Sequence, residues 1–212
     1  MTPRFASAVD PVFRQGLVLL DRIQRGDRLD PEQEQLRLLA HLEQGDVIAG
    51  SSQEWRLAQY ALVSWLDEML VDTPWNGQDW WSNNVLEMAL YQTRDCHERF
   101  YVLAAEAAEA SRRDALHVFH DCVVLGFRGL YRDSSLVPDL TRRHGLPPDV
   151  LEWLRRTQLS IRVGDDRRPL AGAVRRVKGA RPLASTVRTV WAWMAAAILL
   201  ALNIAFYRML LA

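Results

Sequence analysis

The side chains best suited to chemistry lie close together in the stretch "YALVSWLDEMLVDTPWNGQDWW", Tyr60–Trp81. Asp67 and Glu68 are adjacent carboxylates, and a carboxylate pair can divide the roles of general acid and base. Neighbouring helical positions point about 100° apart, however, which is awkward for gripping one bond from two sides. A metal site is raised by Cys96 beside His97, and by "HVFHDC" with His117, His120 and Cys122. His117 and His120 lie three apart on one helical face, but Cys122 points about 140° away from His117. No paired CxxC and no HExxH accompanies them. Nor is there a G-x-S-x-G elbow or a phosphate-binding glycine loop. No catalytic residue, metal or cofactor is assigned, and what remains for Asp67 and Glu68 is recognition.

The element that positions them is a helix of unusual composition. From Leu57 to Leu66 the only polar side chains are Gln59 and Ser64, besides the polar tips of Tyr60 and Trp65. A helix apolar on nearly every side packs against several neighbours at once. Near its exit Leu62, Trp65, Leu66, Met69 and Leu70 form the strongest apolar stripe. With Leu62 at zero this stripe centres near 10°, while Asp67 and Glu68 fall at about 140° and 240°. Both carboxylates therefore flank the opposite face, beside a turn carrying Pro74 and Trp75. That arrangement fits a docking surface for a basic partner (Asp67, Glu68, Trp75), with a solvated helix end as the competing reading.

The rest of residues 1–161 shows no sustained alternation, and helix signals recur. Asp10 opens a first helix with Val12, Phe13, Leu17, Leu20 and Ile23. Asp30-Pro31-Glu32 opens a second, with Leu36, Leu39 and Leu42 inside. Ser51 and Glu54 fit a capping box for the helix leading to Asp67. Further helices are predicted near 83–92, 95–110, 113–127, 135–144 and 148–160. The fold class is all-α, with short connections that favour antiparallel neighbours.

Apolar content of 49% and charged content of 25% describe a folded chain. Its net charge of zero conceals an asymmetry: residues 1–161 hold 17 basic and 24 acidic groups, residues 162–212 nine and two. Thr189–Tyr207, "TVWAWMAAAILLALNIAFY", carries no charge and is bounded by Arg188 and Arg208. Nineteen helical residues rise roughly 28 Å, the thickness of a bilayer's hydrocarbon core. Trp191, Trp193 and Tyr207 sit where amphipathic rings favour headgroups. Eight positive charges from Arg162 to Arg188 precede this span and only Arg208 follows it, so the body is expected in the cytoplasm. The expected organisation is a cytosolic helical domain (1–161), a basic linker over anionic lipid (162–187), a transmembrane helix (188–208) and a short periplasmic tail (209–212). Two cysteines and an N-terminus without an apolar core agree with a cytosolic body. The linker lacks interleaved stacking aromatics, so lipid rather than nucleic acid is its partner. Asn203, the only strongly polar residue in the span, marks a site of self-association.

Three stretches together resemble one family. "YALVSWLDEMLVDTPW" is similar to its signature helix and turn, with Trp65 and Pro74 as structural residues. "LEMALYQTRDCHERFY" is similar to its next block, and "LGFRGLYR", Leu125–Arg132, to its third. In that last motif Gly126 and Gly129 permit a left-handed exit and close packing, with Phe127 and Tyr131 filling the core. The family is DotU/IcmH, called TssL in type VI secretion systems. The resemblance implies a non-enzymatic inner-membrane subunit whose cytosolic body is two small helical bundles. It implies association with the large IcmF/TssM-like subunit, recruitment of baseplate components, and homo-oligomers formed partly through the span. Arg128 stands where the family pattern has an acidic residue, Leu130 where a basic one is common, and "NGQDWW" is unusually aromatic. Against the scaffold stand two alternatives: a membrane-bound hydrolase using Asp67/Glu68, and a basic lipid-sensing adaptor working through Arg167–Arg188.

Overall fold

The computed structural model describes residues 1–133 and 137–163. Among these, nine α-helices and one 3-10 turn make up the regular structure, with no strand. The basic linker and the uncharged stretch 189–207 lie outside the described residues. No helix among the described residues is long and apolar enough to cross a membrane.

Helix α1 runs from Pro3 to Gln24. It does not begin at Asp10, which is exposed in mid-helix and is followed by Pro11 inside the helix. The buried stripe Phe5, Ala8, Val9, Val12, Gly16, Leu19 and Ile23 continues through that point. Its burial outweighs the hydrogen bond that the proline ring deletes, so the helix extends through Pro11.

Helix α2, Pro31–Ala49, starts as the sequence predicts, with Asp30 accepting from the N–H groups of Glu32 and Gln33. Its buried face differs from the predicted Leu36, Leu39 and Leu42. It consists of Glu34, Leu38, Leu42 and Gly45, while Leu36 is 59% exposed. Two of these positions carry no apolar side chain, which hid the stripe. Glu34 is admitted because Arg22 of α1 (2.8 Å) and Arg37 (2.6 Å) neutralise it.

Helix α3, Gln53–Asp72, is capped by Ser52, not Ser51, whose hydroxyl accepts from Trp55 N–H at 3.1 Å. Every residue from Tyr60 to Asp67 is buried. Around it pack α1, α2, and the later helices α4 (Gln78–Asn83), α5 (Leu86–Tyr91), α6 (Cys96–Glu109) and α7 (Arg113–Val124). The 3-10 turn Gly129–Tyr131, α8 (Val137–His144) and α9 (Val150–Val163) follow, with α9 laid against α7. Buried residues from Phe5 to Ile161 form one continuous cluster among the described residues. The helices of the body meet around α3, because an all-apolar helix gives neighbours on every side the same surface to bury.

Two glycines set the closest approaches to this core. A Cβ on Gly16 would lie 2.7 Å from the ring of Trp65, which is fully buried and meets Phe13 edge-on. A Cβ on Gly45 would lie 2.2 Å from Trp55, whose indole N–H donates to Asp46 at 2.6 Å. Gly45→Ala must displace that ring, and we expect a loss of about 2–3 kcal/mol, read as a lower urea midpoint at unchanged slope. A loss under about 0.5 kcal/mol would mean the Trp55 seat is not tight.

Candidate functional site

The exit of α3, the first turn of α6, the 3-10 turn and α8 enclose a cleft of about 360 Å³. Asp67, Glu68, Val71 and Asp72 line it from α3, Cys96 and His97 from α6, Gly129, Leu130 and Arg132 from the 3-10 region, and Leu140 from α8. It is walled largely by apolar surface and includes a few charged groups, the usual character of a recognition site.

Asp67 does not face solvent. It is 3% exposed and fully engaged: Oδ1 accepts from Trp81 Nε1 (3.0 Å) and Leu86 N–H (2.8 Å), Oδ2 from Glu87 N–H (2.8 Å). The helical-wheel reading put it on the wet face, but α4 and α5 fold back over that face. Burial pushes its carboxyl up to about 7, against the downward pull of these three donors, and the nearby Glu87 adds a further upward push. Glu68 is half-buried and reaches a different segment, accepting from Arg128 N–H (2.6 Å) and Gly129 N–H (2.8 Å). Burial raises its pKa too, while those two hydrogen bonds and Arg132 lower it and Asp72 raises it. The adjacent carboxylates are thus committed to separate pieces of backbone.

Sequence reasoning passed over Glu87, which does the same work. It is 1% exposed; its Oε1 accepts from Tyr60 Oη (2.8 Å), Thr93 Oγ1 (2.9 Å) and Asp95 N–H (3.2 Å), its Oε2 from Cys96 N–H (3.2 Å). Glu54 accepts from Asp114 N–H (3.0 Å), so it does not close the expected capping box. Asp114 in turn accepts from Thr2 N–H (2.9 Å). In each case the helix or turn being started has no side-chain cap from its own N-cap residue. A carboxylate distant in sequence supplies the acceptor, which no local motif could disclose.

The predicted helix 83–92 corresponds to α5, which starts only at Leu86 because Asp67 captures its first N–H groups, and the short α4 before it has no counterpart among the predicted helices. Trp75 does not line the cleft. Its indole donates to Leu70 O (2.9 Å), its ring covers Gly77 and leans on Trp81, and Pro74 beside it is exposed. The aromatic segment after Trp75 is structural: Trp81 is fully buried, and Asn76 pairs with both Leu29 N–H (3.2 Å) and Leu29 O (2.7 Å).

Helix α7 ends at Val124 in a Schellman motif, with Gly126 N–H on Val123 O, Phe127 N–H on Cys122 O, and Gly126 at φ +118°. Phe127 enters the core against Phe100 at 4.0 Å. Gly129, at φ +50°, approaches His97 O where a Cβ would sit 2.7 Å away. Tyr131 donates to Pro147 O at 2.7 Å. Arg128 places its guanidinium on Val123 O and Phe127 O (3.0 Å each), at the negative end of α7, and Leu130 is buried. Among the described residues no group of three His, Cys, Asp or Glu is placed to hold a metal ion. Asn203 lies outside the described residues.

A family model described as type VI secretion system protein DotU matches residues 5–210. The cytoplasmic domain of TssL from Acinetobacter baumannii is similar in fold: 24% identity over 72% of this chain and 95% of that one, with a TM-score of 0.54. SciP/TssL from enteroaggregative Escherichia coli 042 is 20% identical over 66% of this chain and 89% of its own, with a TM-score of 0.49. A search of curated proteins gave no match.

Asp67→Ala leaves three buried N–H groups without an acceptor, and we expect a loss of about 3–5 kcal/mol in urea denaturation. Glu68→Ala is expected to cost less, about 1–2 kcal/mol, because part of its site is wet. A loss below about 1 kcal/mol for Asp67→Ala would overturn the clamp. Since the Asp67 carboxyl titrates at about 7 when folded against 3.8 when free, its contribution is full below pH 3.8 and lost as pH rises to about 7. The stability difference between the protein and Asp67→Asn should shrink across that window.

Proposed function

The chain belongs to the DotU family of type VI secretion system proteins, and from that premise we propose that it is a membrane-anchored, non-enzymatic scaffold of the secretion machine's inner-membrane complex. The observation that carries this reading is the extent of the family match, which runs from the body through the uncharged stretch 189–207. Nineteen uncharged residues after eight positive charges fit a single span with the body in the cytoplasm. The organisation into body (1–161), basic linker (162–187), span (188–208) and tail (209–212) belongs to the same reading. So do association with an IcmF/TssM-like subunit, linker contact with anionic lipid, and self-association through Asn203.

The cleft at the exit of α3 is the docking place for a baseplate component. Asp67 serves it indirectly, by fixing the walls. Glu68 holds the Arg128–Gly129 wall, and Asp72, paired with Arg132 at 2.6 Å, offers the accessible charge on the rim. The hydrolase alternative loses its support because every Asp67 oxygen already accepts from the fold. Trp75 lies apart from the cleft lining and contributes through the packing of its turn.

Carbonate washing of membranes should leave the full chain in the pellet, and removal of residues 189–212 should release it. Affinity purification after detergent solubilisation should recover a large IcmF-like subunit. Asp72→Lys breaks only an exposed pair, so stability should move by less than about 1 kcal/mol. Recovery of baseplate components should nevertheless fall several-fold. Undiminished recovery would remove the cleft from the docking role.

A further inference from the structure

The carboxylate-rich body has one end of opposite character. Residues 1–136 hold 13 basic and 21 acidic side chains, whereas 137–163 hold five basic and three acidic. Helix α8 ends in Arg142, Arg143 and His144, and α9 carries Arg155, Arg156 and Arg162. Arg142 and Arg156 are partnered by Asp139 and Glu152. Arg143, Arg155 and Arg162 are exposed and make no ion pair among the described residues.

The face of α9 that holds two of these arginines also holds exposed apolar side chains. Trp153, Thr157 and Ile161 are buried and define its inner stripe. With Trp153 at zero, Leu151, Arg155 and Arg162 fall within about 20° of the opposite side, flanked by Gln158 and Leu159. Leu151 is 57% exposed and Leu159 59%. Leucines alternating with unpaired arginines on an outer face match a helix lying in an anionic interface, with leucines among acyl chains and guanidinium groups at phosphates.

Chain connectivity identifies the occupant. Only 25 residues separate Val163 from the uncharged stretch beginning at Thr189. Even fully extended they span at most roughly 90 Å, so a membrane holding that stretch is always within reach and at high effective concentration. Repulsion between anionic lipid and the acidic remainder would turn this same end towards the surface. We propose that the outer face of α9, through Leu151, Arg155, Leu159 and Arg162, docks on anionic phospholipid and orients the body on the membrane. This rests on the anchoring argued above and extends lipid contact from the linker into the folded domain.

The test uses the full chain reconstituted into vesicles of phosphatidylcholine alone or mixed with phosphatidylglycerol, with a fluorescent amino acid in place of Leu159. A second version carries it at Val47, which is 83% exposed on α2. Brominated lipid should quench the probe at 159 in anionic vesicles only, and the probe at 47 in neither. Arg155→Gln with Arg162→Gln should lower the docked-to-undocked ratio about 25-fold, roughly fivefold for each arginine, with resistance to carbonate extraction unchanged. Absence of quenching at 159 with anchoring intact would overturn docking and leave the anchor standing. Equal quenching in neutral vesicles would overturn the role of charge. Shielding from an aqueous quencher without lipid quenching would mean that a second copy or a partner subunit covers the face instead. Extraction of the chain by carbonate would sink the anchoring and this inference together.

Discussion

The structure depends on carboxylates that start helices other than their own. Helix α3 is sheathed by neighbours, so the segments packed on it begin in places where water has restricted access to their first N–H groups, and the least access at the start of α5. Asp67 supplies α5, Glu87 supplies α6, Glu68 supplies the 3-10 turn, Glu54 supplies α7, and Asp114 supplies the N-terminal edge of α1. A carboxylate has two oxygens with which to accept several backbone N–H bonds, and each here faces the first N–H groups of a helix or turn. The acceptors and donors depend on one another, because Glu87 is itself positioned by the segment that Asp67 holds.

That network explains why the stretches resembling the DotU family come as a set. The first contains the acceptors Asp67 and Glu68. The second contains the N–H groups that Asp67 receives, together with Glu87 and the N–H groups that Glu87 receives. The third contains the Arg128–Gly129 backbone held by Glu68. Segments separated by tens of residues meet around one cleft, and its walls are the capped backbone. The shape of the cleft and the stability of the body are therefore two consequences of the same bonds. Charge is distributed to suit: acceptors lie inside, accessible carboxylates lie at the rim, and the basic residues gather towards α9 and the linker.

Individual elements show how much was legible beforehand. The central character of α3 could be read directly, since a helix with two polar side chains in ten residues has no wet side to spare. Asp30 as the cap of α2 and Gly126 near the exit of α7 were also visible, because caps and left-handed exits depend on residues adjacent in sequence. The start of α1 was not, since Pro11 imitates a helix start while the stripe holding it runs from Phe5 to Ile23, about five turns. Nor was the inner face of α2, where Glu34 and Gly45 occupy buried positions. The candidate site misled in a specific way. Asp67 and Glu68 were found, but they were placed together on an open face available to a partner, because a helical wheel contains no information about what folds over each face.

The sequence by itself determined what depends on composition and short spacing: the all-α class, the approximate limits of the helices other than α1 and α4, the central helix, the uncharged stretch with its basic flank, and the family. Tertiary structure alone decided which carboxylates became structural, that the described helices share one core, and where the cleft lies. Those outcomes rest on partners 8 to 112 positions apart. Whether a carboxylate binds solvent, a partner or a distant N–H group is fixed by what packs against it, and only the folded chain specifies that.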